Sequence, residues 1–142
     1  MNDKTPEQDP TQDQKWKESL TELQYHVTRE GGTERAFTGA LYKEKRDGTY
    51  RCICCQHILF TSVMKYDSGC GWPSFHTEHD EAGIERLVDK THGMTRVEVR
   101  CGVCEAHLGH VFDDGPSEHG GERYCINSAS LAFDQSSTMS KD

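Results

Sequence analysis

Apolar residues stand at Trp16, Leu20, Leu23 and Val27, at steps of four, three and four. That spacing puts them on one face of a helix. Thr11 and Gln14 fit a capping box at its start, and Gly31-Gly32, with Arg29 in the last turn, fit its end. The pattern predicts a surface helix that lays one stripe on the body. Residues 1–10 are polar, hold two prolines and predict disorder. From Phe37 onward the pattern changes to short strands and turns. Asp47-Gly48 signals a hairpin. Residues 49–54 alternate, with Tyr50, Cys52 and Cys54 on one side, and residues 58–60 form a short apolar run. Residues 95–100 alternate cleanly, Val97 and Val99 opposite Arg96, Glu98 and Arg100. Residues 108–112 and 123–133 are also strand-like, on either side of a turn-rich loop at 113–121. Residues 81–90 read equally as a short helix or a loop, and the polar tail from Gln135 predicts fraying. The domain reading is therefore a disordered start plus helix over 1–32, a body over 33–134 and a flexible tail over 135–142.

Composition changes this picture in one respect. Only 33% of the 142 residues are hydrophobic, so the core is thin and something besides apolar burial must hold the fold. The balance of 16 basic against 24 acidic residues, a net charge of -8, argues against a nucleic-acid partner bound through phosphates. No apolar run is long enough to span a membrane, and the polar N-terminus lacks a secretory signal. The expected location is the cytoplasm. Seven cysteines in a reducing compartment point to metal binding or redox chemistry rather than a disulfide framework.

Cys52 and Cys55 form one C-x-x-C pair and Cys101 and Cys104 another. Two intervening residues let both sulfurs point at one ion, and Gly102 eases the tight turn. Two such pairs complete a tetrahedral sphere of four thiolates, which suits a structural zinc. A sphere that uses Cys54 and His57 instead is the alternative. A structural zinc contributes on the order of 10 kcal/mol, which would offset the thin core.

Cys54, Cys70 and Cys125 are left. Arg123 and nearby histidines could lower the Cys125 thiol pKa. Cys70 lies between two glycines, in a loop free to move toward a partner; each of the two cysteines could equally be a small buried apolar residue. The stretch Tyr66-Asp67-Ser68-Gly69-Cys70-Gly71-Trp72-Pro73-Ser74-Phe75 is followed by Arg100-Cys101-Gly102-Val103-Cys104. Then come Ala106-His107-Leu108-Gly109-His110-Val111-Phe112 and Glu122-Arg123-Tyr124-Cys125-Ile126-Asn127-Ser128-Ala129-Ser130-Leu131. These four blocks, in this order, resemble the signature of the methionine-(R)-sulfoxide reductases, the MsrB family, and the resemblance runs over residues 33–133.

The resemblance implies Cys125 as nucleophile, Cys70 as resolving cysteine, zinc on Cys52, Cys55, Cys101 and Cys104, and thioredoxin as reductant. It implies that His110, with His107, protonates the sulfoxide oxygen. Trp72 and Phe112 would wall the substrate methyl group, and Asn127 and Arg123 would orient substrate or histidines. The implied fold is mainly β, two small antiparallel sheets with a four-cysteine zinc clip and the N-terminal helix packed outside. A monomer is expected. In an ideal strand His107 and His110 point to opposite faces, because three is an odd step. A bulge at Gly109 would bring them together; without one, only His110 stays in the scheme. Cys54 is read as buried and inert. Two other readings compete: a non-catalytic zinc-ribbon binding module, which leaves Cys70, Cys125 and Trp72 unused, and a cysteine hydrolase built on Cys125, His110 and Asn127.

Overall fold

A computed structural model describes residues 10–90 and 93–135. The expectations for residues 1–9 and 136–142 lie outside these. The predicted single helix is two: α1 (Pro10–Ser19) and α2 (Glu22–Glu30). Thr21 breaks it. Its hydroxyl accepts the Gln24 amide at 3.1 Å, and the Gln24 side chain accepts the Thr21 amide at 2.9 Å. This capping box opens a new helix where the periodic stripe would have run on. The box expected at Thr11 falls inside α1, where Gln14 instead donates to Glu18. Gly31 ends α2 in the left-handed region, as its position predicted. Of the stripe, Val27 is buried, whereas Leu23 is 49% exposed.

Among the described residues nine strands follow: β1 (Gly48–Cys52), β2 (Ile58–Thr61), β3 (Lys65–Tyr66), β4 (Ser74–Phe75), β5 (Glu85–Asp89), β6 (Arg96–Arg100), β7 (His107–Phe112), β8 (Arg123–Ile126) and β9 (Leu131–Gln135). They form two antiparallel sheets, in the orders β2-β1-β9 and β3-β4-β8-β7-β6-β5. The expected mainly-β, two-sheet architecture with helices outside is what the chain adopts. Asp47-Gly48 makes no hairpin, because turns and not a strand precede it; β1 pairs with β2 and β9. The undecided segment 81–90 contains β5, a polar edge strand held by five paired positions on β6. Gln135 ends β9 opposite Gly48 rather than starting a frayed tail.

The strand-like run 123–133 is two strands in different sheets. A 3-10 turn, Ser128–Ser130, carries the chain from one to the other. Its buried serines are satisfied locally: the Ser130 hydroxyl donates to the Asn127 carbonyl at 2.8 Å, and the Ser128 hydroxyl accepts the Leu41 amide. Between the sheets, Phe60 stacks on Phe75 at 4.0 Å, with Tyr50 and Tyr124 edge-on to this pair.

Both C-x-x-C pairs sit in hairpin turns, one per sheet: 52–55 between β1 and β2, 101–104 between β6 and β7. The turns echo each other. The residue after each second cysteine, Gln56 or Glu105, is in the left-handed region, and its amide donates to the first cysteine's carbonyl at 2.8 Å. Each hairpin then carries an extra residue four places beyond the second cysteine. Tyr50 pairs with Phe60 and Arg51 with Ile58, leaving Leu59 over; Val99 pairs with Gly109 and Arg100 with His107, leaving Leu108 over. Gly102 serves close approach rather than turn geometry, since a Cβ there would lie 2.0 Å from the Gly83 carbonyl oxygen.

Candidate active site and metal centre

The bulge at Leu108 decides the histidine question. One extra residue in β7 turns the odd step from 107 to 110 into an even one, so both rings lie on the same face. Their centroids are 5.8 Å apart, edge to face. The expected bulge is thus one residue from Gly109, and the zinc-type hairpin supplies it.

Each histidine is held by a carboxylate. His110 Nε2 lies 2.8 Å from Asp89 Oδ2, and His107 Nδ1 lies 2.7 Å from Glu98 Oε2. Burial pushes the His107 imidazole below its ordinary pKa, against the pull of Glu98. Burial would raise the Glu98 carboxyl, but hydrogen bonds from Arg100 and His107 outweigh it and hold the group below its usual range. Asp89 and Glu98 were not foreseen. Glu98 stood on the polar face of the alternating 95–100 run; Asp89 lay in the segment whose structure was left open.

Cys125 is on β8, between Ser74 of β4 and His110 of β7 in the sheet register. Its sulfur is 3.3 Å from Cys70 Sγ. Cys70 Sγ also meets the Ser74 hydroxyl at 3.3 Å and the Trp72 carbonyl at 3.4 Å, and Ser68 and Ser74 hydrogen-bond at 2.6 Å. The two sulfurs lie within hydrogen-bond reach, and either can donate. Hydrogen bonding from Cys125, with help from Ser68 and Ser74, brings Cys70 down to about 4, against the effect of burial. The same hydrogen bond and burial push Cys125 up, opposed by the Arg123 charge. The hydrogen bond thus favours one thiolate and one thiol over two thiols in the pair.

Cys125 also faces a cavity of about 100 Å³, lined by Trp72, Phe112, His110, Asn127, Thr33 and Arg96 among others. Cys70 and His107 do not line it. Cys125 is thus the sulfur a ligand meets, and Cys70 stands behind it. The cavity's roof is the strap after α2. The Glu34 carbonyl accepts the Trp72 indole N–H at 3.0 Å, the Glu34 amide donates to Asn127 Oδ1 at 2.9 Å, and its carboxylate accepts the Ala129 amide at 2.8 Å. Asn127 Nδ2 donates to the Leu108 carbonyl at 3.0 Å, so both ends of its amide are tied to backbone. Arg123 lies outside the lining residues. It donates to Asp114 at 2.9 Å, with its guanidinium 4.6 Å from the Phe112 ring centre. Glu34 was also not foreseen; an isolated glutamate among polar neighbours carries no sequence signal.

At the other end of β7 the four sulfurs of Cys52, Cys55, Cys101 and Cys104 lie within 4.8 Å of one another. Cys52 is 3.5 Å from Cys104, and Cys55 is 3.6 Å from Cys101. Four sulfurs about 2.3 Å from one zinc would stand roughly 3.8 Å apart. Arg29 of α2 donates to the Cys104 carbonyl at 2.8 Å, and its Nη1 is buried with no hydrogen-bond partner. A half-buried cation beside a four-thiolate centre, whose net charge with a divalent ion would be negative, is electrostatically apt. The residues present fit a tetrahedral divalent metal. Cys54 is outside the group, half-buried rather than buried, and His57 turns away to the Glu81 carbonyl. The cluster therefore takes the C-x-x-C set.

A family model, the SelR domain, matches residues 20–135. Peptide methionine sulfoxide reductase MsrB of Hahella chejuensis (strain KCTC 2396) is 57% identical over 121 residues, covering 85% of this chain and 86% of that protein. The chain belongs to the SelR (MsrB) family. A second relative, peptide methionine sulfoxide reductase MsrB of Escherichia coli O139:H28 (strain E24377A / ETEC), is also 57% identical, over 82% of this chain and 85% of its own. Membership gives the SelR chain's paired sulfurs, cavity and histidines a common chemical context.

Proposed function

We infer that this SelR protein is a peptide methionine sulfoxide reductase, an oxidoreductase that returns methionine sulfoxide to methionine by thiol chemistry. The single observation that carries the thiol reading is the Cys125 sulfur, open to the apolar cavity on one side and 3.3 Å from Cys70 on the other. Trp72 and Phe112 receive the sulfoxide's methyl group. The Cys125 proton moves onto Cys70, and the Arg123 charge favours the thiolate left on Cys125. That thiolate attacks the sulfoxide sulfur. Asp89 engages one nitrogen of His110, and the other delivers a proton to the departing oxygen. The protonated oxygen then passes to the Cys125 sulfur as the new bond between Cys125 and the substrate sulfur breaks, so methionine leaves and Cys125 is left as a sulfenic acid. The Cys70 thiol displaces that oxygen as water, forming a Cys70–Cys125 disulfide. An external dithiol, thioredoxin by family resemblance, exchanges with the disulfide and restores both thiols. Preference for the R epimer rests on the same resemblance. His107 acts one layer back, fixing its neighbour's ring, and Asn127 holds the strap over the cavity. The four-cysteine cluster holds zinc as a brace and takes no part in the redox steps.

The geometry favours this reading over the two others. A binding module has no use for a second pair of sulfurs at a cavity. A hydrolase in the Cys-His-Asn pattern needs an asparagine that orients the histidine, and Asn127 is spent on the Leu108 and Glu34 backbone. The test is reduction of separate R and S epimers with dithiothreitol. The R epimer should be reduced by the wild type and not by Cys125→Ser, which should lose at least about 10³-fold in rate. Retained activity in that variant would refute the assignment.

A further inference from the structure

The chemistry above leaves one surface without a use. Phe37 is 64% exposed, although nearby Tyr42 and Gly71 offer apolar cover. Its backbone is in the left-handed region at φ 68°, which a bulky residue adopts only when its surroundings impose it. The imposition comes from the redox loop: the Phe37 amide donates to the Gly71 carbonyl at 2.7 Å, one residue from Cys70. The ring stands edge-on to Tyr42, centroids 5.5 Å apart, and lies over Gly71, where a Cβ would come within 3.0 Å of it. An exposed aromatic ring is thus fixed beside Cys70.

The disulfide must be opened from outside, by a thiolate approaching one of its sulfurs. Cys125 faces the substrate cavity. Cys70 does not; it sits half-buried between Gly69 and Gly71, two residues without side chains, so another backbone can come close. Between Asp67 and Ser74 no side chain but the cysteine can carry a charge, and in the disulfide Cys70 carries none. We propose that Phe37, with Gly69 and Gly71, is the landing surface for a protein dithiol reductant whose reactive cysteine is set in an apolar, uncharged rim. Encounters of redox proteins bury little area, so one rigid aromatic anchor can carry much of the recognition. A small dithiol, which needs only the sulfur, has no use for the ring. The proposal rests on the disulfide cycle inferred above.

The experiment compares thioredoxin with dithiothreitol as reductant for the full chain. Phe37→Ser is expected to raise KM for thioredoxin at least fivefold and to leave dithiothreitol-driven turnover within twofold of wild type. Phe37→Gly, which suits the positive φ, should match it, showing that the ring rather than the backbone is lost. Val88→Ser, at an exposed position on the edge strand farthest from β3, should change neither rate. An unchanged thioredoxin KM in both Phe37 variants overturns the proposal, and so does an equal fall with both reductants in Phe37→Gly. A wild type that neither reductant turns over contradicts the disulfide cycle itself.

Discussion

Two groups of cysteines bring sulfurs within 3.6 Å of each other, and they are built on opposite plans. The metal group uses four residues from two matching hairpin turns, one in each sheet, with every first-cysteine carbonyl tied to a left-handed residue behind it. None of its four residues lines the cavity at Cys125. The redox group uses two residues from unlike elements, a strand and a glycine-flanked loop, and one sulfur lines the cavity. Reactivity follows from number and surroundings, not from the thiol. On the proposed reading, four thiolates around one ion would leave no sulfur free to attack, whereas two hydrogen-bonded sulfurs would keep one ready.

The comparison is broken most forcefully on the metal side. Cys101→Ser should release the ion and cost more than about 5 kcal/mol of folding stability. Metal content and thermal unfolding, measured together, check this. A variant without metal and with an unchanged Tm would show that the cluster is no brace.

Next in size is the acid. His110→Gln should slow single-turnover reduction about 10²-fold while leaving metal content unaltered. Asp89→Asn should give part of that loss, with a changed pH profile, because the ring keeps its place but loses its charged partner. Equal rates in both variants and the wild type would remove the histidine from the chemistry.

The smallest effect sharpens the redox side. With Cys70 held down to about 4 by its partner's hydrogen bond, the thiolate persists as pH falls from 8 to 6 and is lost only as pH nears 4. Alkylation of Cys70, read by peptide mass in zinc-loaded protein, should stay level over that upper range. An ordinary thiol would lose about tenfold per unit there. In Cys125→Ser the ordinary fall should return.

What could be read in the chain divides along the same line. Both C-x-x-C pairs were legible because two-residue spacing is itself the ligand geometry, and the strands read at 95–100 and 108–112 are found as Arg96–Arg100, which alternates, and His107–Phe112, which is rich in apolar residues. The helix break at Thr21 was missed because a local capping box interrupts the apolar period. The sheet switch at Ser128–Ser130 was missed because buried serines with internal partners look like a continuing strand. Asp89 and Glu34 act through contacts 21 and 93 residues away in sequence, to His110 and Asn127, and no local pattern marks such reach. The histidine geometry hung on a single bulge, conceivable from the sequence but settled only by the register of β6 on β7.

One measurement bears directly on the division of labour among the cysteines. Reduced, zinc-loaded protein is given one equivalent of methionine-(R)-sulfoxide without external thiol, and its disulfides are mapped alongside the methionine released. One Cys70–Cys125 bond per methionine is predicted, with zinc retained, and in Cys70→Ser one methionine with no disulfide at all. A bond through Cys54 or any of the four metal ligands, or zinc lost in step with methionine formed, would contradict the account.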